Sequence, residues 1–403
     1  MKVAVIGAGF SGMLAAYLLE KKGIDVTVYE KEDVIGGHCR TMSSNHVTTE
    51  LGTIFSFSHH LKALLIELQV PYTERFTYRK FIDEHYHSVE HVARDQVPLL
   101  MNELGALEAI LETYTDTLST INYGLIHEDL LLPLCQFLRK HELTVLCQVI
   151  APLLSSFGFG SVCDTQAYYA FKVFNIETIH SFIKGDKLLF INQGTSQLIK
   201  ALGQTITDIR YSIEVKNVEV IDKRVKVETD FGCDSYDKVL ITTKLPRDVI
   251  KDDLYNRLMK KIDTNPFLIC AYEVANKDLV TTYYKANLGK KDQLQFYHVS
   301  RQNHRTVLVT YAYGSLCKAT INGITEALTS SGIDVKHLIT AKQWYIFPHL
   351  NEENLTTHFY EDISQRQKVS PINLIGSLVS KPEIGNLYIS VKNAIDELLD
   401  LNE

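Results

Sequence analysis

Three glycines near the start of the chain have a spacing suited to phosphate binding. Gly7, Gly9 and Gly12 form the pattern G-x-G-x-x-G directly after an apolar run that predicts a strand. Gly7 permits a tight turn, Gly9 lets a pyrophosphate approach the backbone, and Gly12 lets a helix pack closely on the strand. A helical pattern follows, so its first N–H groups, at Phe10 and Ser11, are expected to face the phosphates.

The next predicted strand, residues 24–30, carries an acid at its end. Glu30 lies where a carboxylate accepts hydrogen bonds from the hydroxyls of an unphosphorylated ribose. A strand, a helix and an acid follow one another at the spacing of a dinucleotide-binding unit, which favours a dinucleotide site over an ordinary glycine turn. The lack of a small-residue cleavage site argues against a secretory signal. These residues alone leave NAD and FAD open.

A second glycine pair, Gly36 and Gly37, follows the acid, and His38, Arg40 and a threonine come after it. This stretch resembles the flavoprotein amine oxidase superfamily, whose members continue from the acid into Gly-Gly, a basic residue and Thr. The resemblance implies FAD, with the glycine pair along its diphosphate and a basic side chain meeting its charge. Arg40 is the better candidate, with His38 at the usual basic position.

The resemblance extends the cofactor site to later parts of the chain. A turn at Gly52 is expected to bring backbone near the flavin, and Gly376 with Ser377 forms the last flavin motif, where the superfamily commonly has an acid after the glycine. The dipole of the final helix would stabilise negative charge on the flavin. The complete predicted cofactor set is Gly7, Gly9, Phe10, Ser11, Gly12, Glu30, Lys31, Gly37, His38, Arg40, Gly52, Thr53, Val218, Gly376, Ser377, Gly385 and Asn386.

Composition limits the classes of function. The 403-residue chain is 45% hydrophobic, and its net charge of −7 makes nucleic acid an unfavourable partner. Seven scattered cysteines without a C-x-x-C pair predict reduced thiols and a cytoplasmic protein. No apolar run is long enough to predict a transmembrane segment. His85, His87 and His91 could suggest a metal, but the nearby acids favour a solvated face, so no metal site is predicted.

The pattern of elements predicts an α/β fold with two domains. A discontinuous Rossmann-type FAD-binding domain is expected over residues 1–75, 189–252 and 366–403. An inserted substrate domain of helices and mixed β structure is expected over residues 76–188 and 253–365. No Pro/Gly-rich linker is present, so the two domains are expected to share a large, fixed interface.

Five further strings resemble the bacterial polyunsaturated fatty acid isomerases, flavoproteins related to linoleate isomerase. They are residues 127–133, 157–160, 167–174, 181–186 and 344–349. The match runs in order over nearly the whole chain. It implies a redox-neutral movement of a double bond, in which oxidised flavin takes a hydride from a bis-allylic carbon and returns it at a different carbon. The transient allylic cation would be shielded from water and steadied by aromatic faces.

The same resemblance implies four substrate-site residues. Phe182 would pack against the acyl chain, and Arg79 would hold the carboxylate or gate the entrance. Tyr345 and Phe347 would line the flavin's face. The alternatives are a core position for Phe182, a surface ion pair for Arg79, and interdomain packing for Tyr345 and Phe347.

Three functions therefore remain open from the sequence. The first is a fatty acid double-bond isomerase acting on a small unsaturated lipid. The second is an FAD-dependent oxidase of an amine or another small molecule that passes electrons to O2. The third is a catalytically silent binding protein, suggested by Ser377 in place of an acid. Peripheral contact with a membrane and the oligomeric state also remain open.

Overall fold

The computed structural model describes residues 1–44, 47–57 and 59–400; positions 45, 46, 58 and 401–403 of the predicted cofactor domain lie outside the described residues. The strands, in chain order, are β1 (Lys2–Ile6), β2 (Asp25–Tyr29), β3 (Thr41–Ser44), β4 (Val47–Glu50), β5 (Tyr72–Phe76), β6 (Arg79–Ile82), β7 (Ser88–Val89), β8 (Lys187–Ile191), β9 (Asp208–Arg210), β10 (Val215–Ile221), β11 (Arg224–Thr229), β12 (Gly232–Tyr236), β13 (Lys238–Ile241), β14 (Ile262–Val274), β15 (Thr281–Tyr284), β16 (Leu294–Gln302), β17 (Arg305–Tyr313), β18 (Val335–Leu350) and β19 (Ile372–Leu374). The helices are α1 (Phe10–Lys21), α2 (His60–Glu67), α3 (Val97–Glu112), α4 (Thr115–Leu118), α5 (Leu134–Lys140), α6 (Leu146–Phe157), α7 (Ala167–Val173), α8 (Ile176–Lys184), α9 (Ser196–Gly203), α10 (Asp253–Lys261), α11 (Lys318–Ser330), α12 (Phe359–Val369) and α13 (Ile384–Asp400).

A five-stranded parallel sheet forms the first half of the fold, in the order β19-β13-β1-β2-β9. Its strands come from the start, the middle and the end of the chain, which are the three segments predicted for the cofactor domain. The central strand β1 is an apolar run buried on both faces, as expected for a parallel sheet covered by helices. Helix α1 returns from β1 to β2 and packs against α9 and α13.

The second half contains a seven-stranded sheet in the order β18-β14-β17-β16-β15-β6-β7. Its pairs are antiparallel except for β6 beside β15. Helices α3 to α8 come from the helix-rich segment that the sequence predicted. One buried cluster includes Ile6 of the first sheet and Tyr311 of the second, so the two halves share a hydrophobic core. The α/β fold class is confirmed.

Two features differ from the sequence-based expectations. The 16-residue strand β18 was not predicted; it pairs with β14 along its length, and that pairing depends on residues far apart in the chain. Cys135 and Cys163, 28 residues apart, form a disulfide with a Cα–Cα distance of 5.0 Å, which corrects the expectation that all seven thiols are reduced. Spacing alone could not show that the start of α5 and the segment before α7 meet.

The described residues contain neither a membrane-spanning helix nor a cluster of metal ligands. None of the helices in residues 1–44, 47–57 and 59–400 combines the length and apolar character needed to cross a bilayer. Within the same ranges, no three His, Cys, Asp or Glu side chains are grouped so that they could hold a metal ion. His91 instead stacks on Phe81, with ring centroids 4.1 Å apart.

Gly12 marks the contact between α1 and the glycine turn. A Cβ at this position would lie 1.9 Å from the carbonyl oxygen of Gly7, which is backbone and cannot move aside. We expect Gly12→Ala to lower the free energy of unfolding by about 1–3 kcal/mol, the usual cost of overpacking. Urea denaturation measures this. Gly105→Ala is the matched control: a Cβ at Gly105, on the exposed face of α3, meets nothing within 4 Å, so this change should stabilise by about 0.5–1 kcal/mol. An equal loss in both variants would contradict the packing argument.

Candidate functional site

A cavity of about 770 Å³ lies between the two sheets. Its wall includes the glycine turn after β1 at one end and side chains of β14 to β17 at the other. This volume is within the range of sites that enclose a small molecule or cofactor. The predicted site residues in the wall are Gly7, Gly9, Phe10, Ser11, Glu30, Lys31, Gly37, His38, Arg40, Gly52, Thr53, Arg79, Phe182, Tyr345, Phe347 and Ser377.

The glycine turn forms a narrow cradle with the second glycine pair. Gly7 has φ +101° in the turn, which favours glycine. A β-bridge joins Gly9 to Gly36, and a Cβ at Gly37 would come within 3.2 Å of the Gly9 Cα. Helix α1 begins beside this cradle with no side-chain cap from the described residues, so the first N–H groups of α1 remain available to a ligand. Free N–H groups at a helix N-terminus next to glycine backbone suit a phosphate.

Glu30 is held rigidly at the end of β2. Its carboxylate accepts hydrogen bonds from the N–H of Ala8 at 2.8 Å and from the N–H of Glu32 at 2.9 Å. Each carboxylate oxygen has a second lone pair. The side chain is buried and lines the cavity, so it can also accept hydrogen bonds from ribose hydroxyls.

Arg40 lines the cavity with an unsatisfied donor. Its buried Nε has no hydrogen-bond partner within the part of the chain that the structure describes. An orphaned guanidinium donor beside the cradle fits an anionic group such as a diphosphate. His38 faces the cavity, and the protein around it lowers its pKa to about 4 by desolvation. Because His38 is neutral near pH 7, Arg40 is the one of these two residues that carries a positive charge.

The last flavin motif contacts the start of α1. Gly376 has φ +72°, and a Cβ there would lie 2.5 Å from Ser11 Oγ, so this turn packs directly on the helix N-terminus. Ser377 lines the cavity next to it. The residues present therefore fit a dinucleotide: N–H groups and an unpaired guanidinium for the phosphates, and a carboxylate for a ribose.

Two predicted positions beside the terminal helix lie outside the cavity wall. Gly385 and Asn386 belong to the first turn of α13 and are not among the lining residues. The N–H of Asn386 donates to Oε2 of Glu383 at 2.9 Å. Glu383, which is buried and lines the cavity, was not predicted. Its carboxylate also accepts a hydrogen bond from Ser56 Oγ. The positive end of the α13 dipole, which was expected to stabilise negative charge on a flavin, is therefore partly neutralised by Glu383.

Val218 also lies outside the wall. It is buried in β10, and its N–H donates to the carbonyl oxygen of Val249 at 2.8 Å. The same segment reaches the cavity earlier in the chain, through Ile213, Glu214 and Val215. Apolar and polar residues alternate in the sequence of this strand, which predicts a buried face but does not show which of its residues is nearest to the cavity.

A ladder of aromatic rings forms the floor at the other end of the cavity. Tyr283, Phe296 and Tyr311 are directly opposite one another on β15, β16 and β17. Their rings stack face to face, with centroids 5.0 Å apart for Tyr283 and Phe296 and 4.4 Å apart for Phe296 and Tyr311. Phe267 of β14 continues the ladder at a tilt. We refer to Phe267, Tyr283, Phe296 and Tyr311 as the aromatic ladder; all four line the cavity.

Tyr311 carries an unpaired hydroxyl in this ladder. The residue is buried, and its hydroxyl has no hydrogen-bond partner among the described residues. Burial raises the pKa of Tyr311 well above its usual value, so the hydroxyl stays protonated and can donate to a ligand. The sequence offered no signal for the ladder, because its members become neighbours only through the register of the strands.

Arg79 lies at the end of the ladder, beside Tyr283. Its guanidinium is 4.2 Å from the centroid of the Phe182 ring, and Nη1 donates to the Phe182 carbonyl oxygen at 3.1 Å. Within the described residues it forms no ion pair with a carboxylate, which argues against the surface ion pair considered above. Burial lowers the pKa of Arg79, yet a guanidinium remains protonated at neutral pH. The site thus holds a positive charge without a protein counter-ion.

The two aromatic residues predicted on β18 differ in burial. Tyr345 is 64% exposed, whereas Phe347 is 3% exposed. Phe347 stacks on Phe159 with ring centroids 4.0 Å apart, and it has φ +53° beside an irregularity in the pairing of β14 with β18. Both residues line the cavity, and Phe347 also packs between the helices and the sheet.

The fold and the cavity together define a dinucleotide-binding oxidoreductase fold, in which one cavity extends from the glycine turn to the aromatic ladder. Comparison with known proteins specifies the family. The model of the flavin-containing amine oxidoreductases matches residues 10–313, and the chain belongs to that family. The resemblance seen in the sequence is thereby confirmed, and the family implies a flavin cofactor.

Curated relatives match only part of the chain. Protoporphyrinogen oxidase 2 of Arabidopsis thaliana is 29% identical over 102 residues, which is 25% of this chain and 19% of that protein. A polyenoic fatty acid isomerase of Ptilota filicina is 42% identical over 52 residues, which is 13% of this chain and 10% of that protein. The matched parts are well under two thirds of those relatives' lengths.

Solved structures match over almost the whole chain. The CLA-producing fatty acid isomerase from P. acnes has a TM-score of 0.89 at 21% identity, with 98% of each chain covered. Cyclohexylamine oxidase from Brevibacterium oxydans has a TM-score of 0.77 at 15% identity, with 99% of each chain covered. At these identities the comparison establishes the fold.

Proposed function

We propose that this protein is an FAD-dependent isomerase that moves double bonds in a polyunsaturated fatty acid. The observation that carries the proposal is the composition of one cavity. A dinucleotide cradle stands at one end. At the other end stands an aromatic ladder that finishes at Arg79, which has no carboxylate partner among the described residues. An apolar chamber with a cation at its end suits a long hydrocarbon that bears a carboxylate. The isomerase names of the P. acnes and Ptilota proteins support the same choice.

Arg79 would fix the position of the substrate along the cavity. Its guanidinium is held by Phe182 from two sides, through the ring and through the carbonyl oxygen. Its remaining N–H groups can bind a carboxylate in a bidentate manner. The distance from Arg79 to the ladder then selects which double bonds lie over the aromatic rings.

The aromatic ladder would line the part of the chamber in which positive charge develops on the substrate. A ring attracts a cation, by about 0.5–2 kcal/mol, only through a face that no neighbouring ring covers, and Phe296, stacked between Tyr283 and Tyr311, has no such face. The ladder and the surrounding apolar walls also exclude water, which would otherwise trap a carbocation. An adjacent neutral His298, whose pKa burial lowers to about 4, lines the chamber without adding positive charge.

The cofactor would be held by the cradle at Gly9 and Gly37, by the start of α1, by Arg40 and by Glu30. FAD, when bound, supplies an acceptor that can take a hydride from the substrate and return it. A reaction that returns the hydride needs no second dinucleotide.

The same residues also bear on the two other functions that the sequence leaves open, an oxidase and a silent binding protein. An amine substrate would be cationic, and the unpaired charge of Arg79 opposes its binding in the chamber. The cavity is not filled by the protein's own side chains and presents unsatisfied donors at Arg40 and Tyr311. A silent binding protein and an enzyme both require such a cavity, so turnover separates them. The oxidase alternative retains the support of the oxidase relatives.

The test is a product analysis with the FAD-loaded protein and free C18 polyunsaturated acids. We expect a new near-ultraviolet absorbance of a conjugated diene, a product of unchanged mass, and no hydrogen peroxide. Peroxide together with a change of substrate mass would select the oxidase. No change in any of the acids would reject the isomerase.

A further inference from the structure

Three large apolar side chains are exposed together outside the Arg79 end of the cavity. Phe76 is 55% exposed, Tyr78 is 76% exposed and Ile183 is 37% exposed. They belong to two adjoining segments, since a Cβ at Gly185, just after Ile183, would lie 3.8 Å from the Thr77 carbonyl oxygen. Large aromatic side chains exposed in a group mark a surface that is covered by something else.

This group lies next to the cavity wall. Thr77, between Phe76 and Tyr78, lines the cavity, and so does Phe182, which precedes Ile183. The bond from Arg79 to the Phe182 carbonyl oxygen ties the two segments together. The surface and the proposed carboxylate site are therefore two sides of the same wall.

The charge around these residues is opposite to that of the whole chain. The basic side chains exposed on the same two segments are Lys80, Lys184 and Lys187, whereas the guanidinium of Arg75 is turned onto the Phe190 ring on the other face of β5. Lys187 covers the Phe76 ring, with Nζ 5.2 Å from its centroid. Of the two acids beside them, Glu74 is paired with Lys62 and Asp186 is exposed. A local excess of positive charge on a chain of net charge −7 indicates an anionic partner.

We propose that this surface, the docking rim (Phe76, Tyr78, Lys80, Ile183, Lys184 and Lys187), binds the surface of an anionic phospholipid bilayer. Aromatic side chains enter the boundary between head groups and acyl chains, and neighbouring lysines keep their aliphatic stems in the apolar layer while their amines meet lipid phosphates. The inference rests on the proposed function only for the reason to bind a membrane, because a long unsaturated acid is concentrated there.

The experiment is co-sedimentation of the full-length, FAD-loaded protein with vesicles. One set is an equimolar mixture of phosphatidylglycerol and phosphatidylcholine, and the other is phosphatidylcholine alone. We expect binding to the anionic vesicles that decreases with added salt. The double variant Phe76→Ser/Tyr78→Ser and the charge variant Lys184→Glu/Lys187→Glu should each bind these vesicles at least about tenfold more weakly.

Phe231→Ser is the matched control, because Phe231 is 79% exposed at the distant turn between β11 and β12 and should bind like the parent. Circular dichroism and sedimentation velocity on each variant check its folding and its association state. Equal binding of all variants would overturn the proposal, and so would a rim variant that dissociates a dimer without changing vesicle binding.

Failure of the docking proposal is distinguishable from failure of the proposed function. Turnover of monomeric fatty acid in the absence of vesicles reports the isomerase alone, and the rim variants should retain it. Retained turnover with no vesicle binding overturns docking and leaves the enzyme function intact. Vesicle binding that the rim variants weaken, with no turnover of any acid, supports docking and rejects the isomerase.

Discussion

Replacing Arg79 by methionine is expected to lower kcat/KM for a free polyunsaturated fatty acid by about 10- to 150-fold, mainly through KM. The estimate follows from losing a charge-assisted hydrogen bond of about 1.5–3 kcal/mol. Arg79 lines the cavity with its guanidinium stacked on Phe182, and it forms no ion pair within the described residues. Methionine fills similar space without the charge. Steady-state kinetics on monomeric substrate measures the change.

Arg75→Met is the matched control for this prediction. Arg75 also stacks on a phenylalanine, with its guanidinium carbon 4.2 Å from the Phe190 ring centroid, but it does not line the cavity. Its kinetics with monomeric substrate should equal those of the parent. The methyl ester of the same acid provides a second control, because it lacks the carboxylate and should be insensitive to Arg79→Met. An equal loss with acid and ester would assign Arg79 a purely structural role.

Gly9→Val is expected to weaken FAD binding by roughly hundredfold or more, because the added side chain takes the space where a diphosphate would run. Gly9 has φ −73°, which suits any residue, and a Cβ there would meet only Gly37 Cα, at 3.9 Å. The apoprotein should therefore fold with a free energy of unfolding within about 1 kcal/mol of the parent. Flavin fluorescence titration and urea denaturation measure the two quantities.

Gly124→Val serves as the control for Gly9→Val. A Cβ at Gly124 meets nothing within 4 Å, and the residue does not line the cavity. This variant should bind flavin normally. If Gly9→Val retains flavin with unchanged affinity, the cradle is not where the diphosphate lies. If it fails to fold, Gly9→Ala, with a single added methyl group, tests the same space.

That the glycine turn, Glu30 and Arg40 line one end of the cavity could be predicted, because these residues are close together in sequence. The glycine turn, the start of α1 and Glu30 lie within one βαβ unit, so their spacing along the chain determines their spacing in space. Arg40 follows from the adjacent glycine pair, and the structure adds the observation that its buried Nε is unsatisfied.

The lining of the other end, where we propose that the substrate binds, could be predicted only in part. Arg79 and Phe182 followed from the resemblance, and the contact between them joins two segments about a hundred residues apart. The aromatic ladder depends on the register of β15, β16 and β17, and no sequence period reports a register. For the same reason, Glu383 and the disulfide between Cys135 and Cys163 became visible only when distant segments were brought together.

The most direct test of redox-neutral isomerisation is anaerobic turnover of linoleate by the FAD-loaded protein, with the flavin and the product observed together. We expect many molecules of conjugated diene for each flavin, while the visible flavin spectrum stays oxidised throughout. A single molecule of product for each flavin, with bleaching that only oxygen reverses, would contradict the isomerase and identify an oxidase.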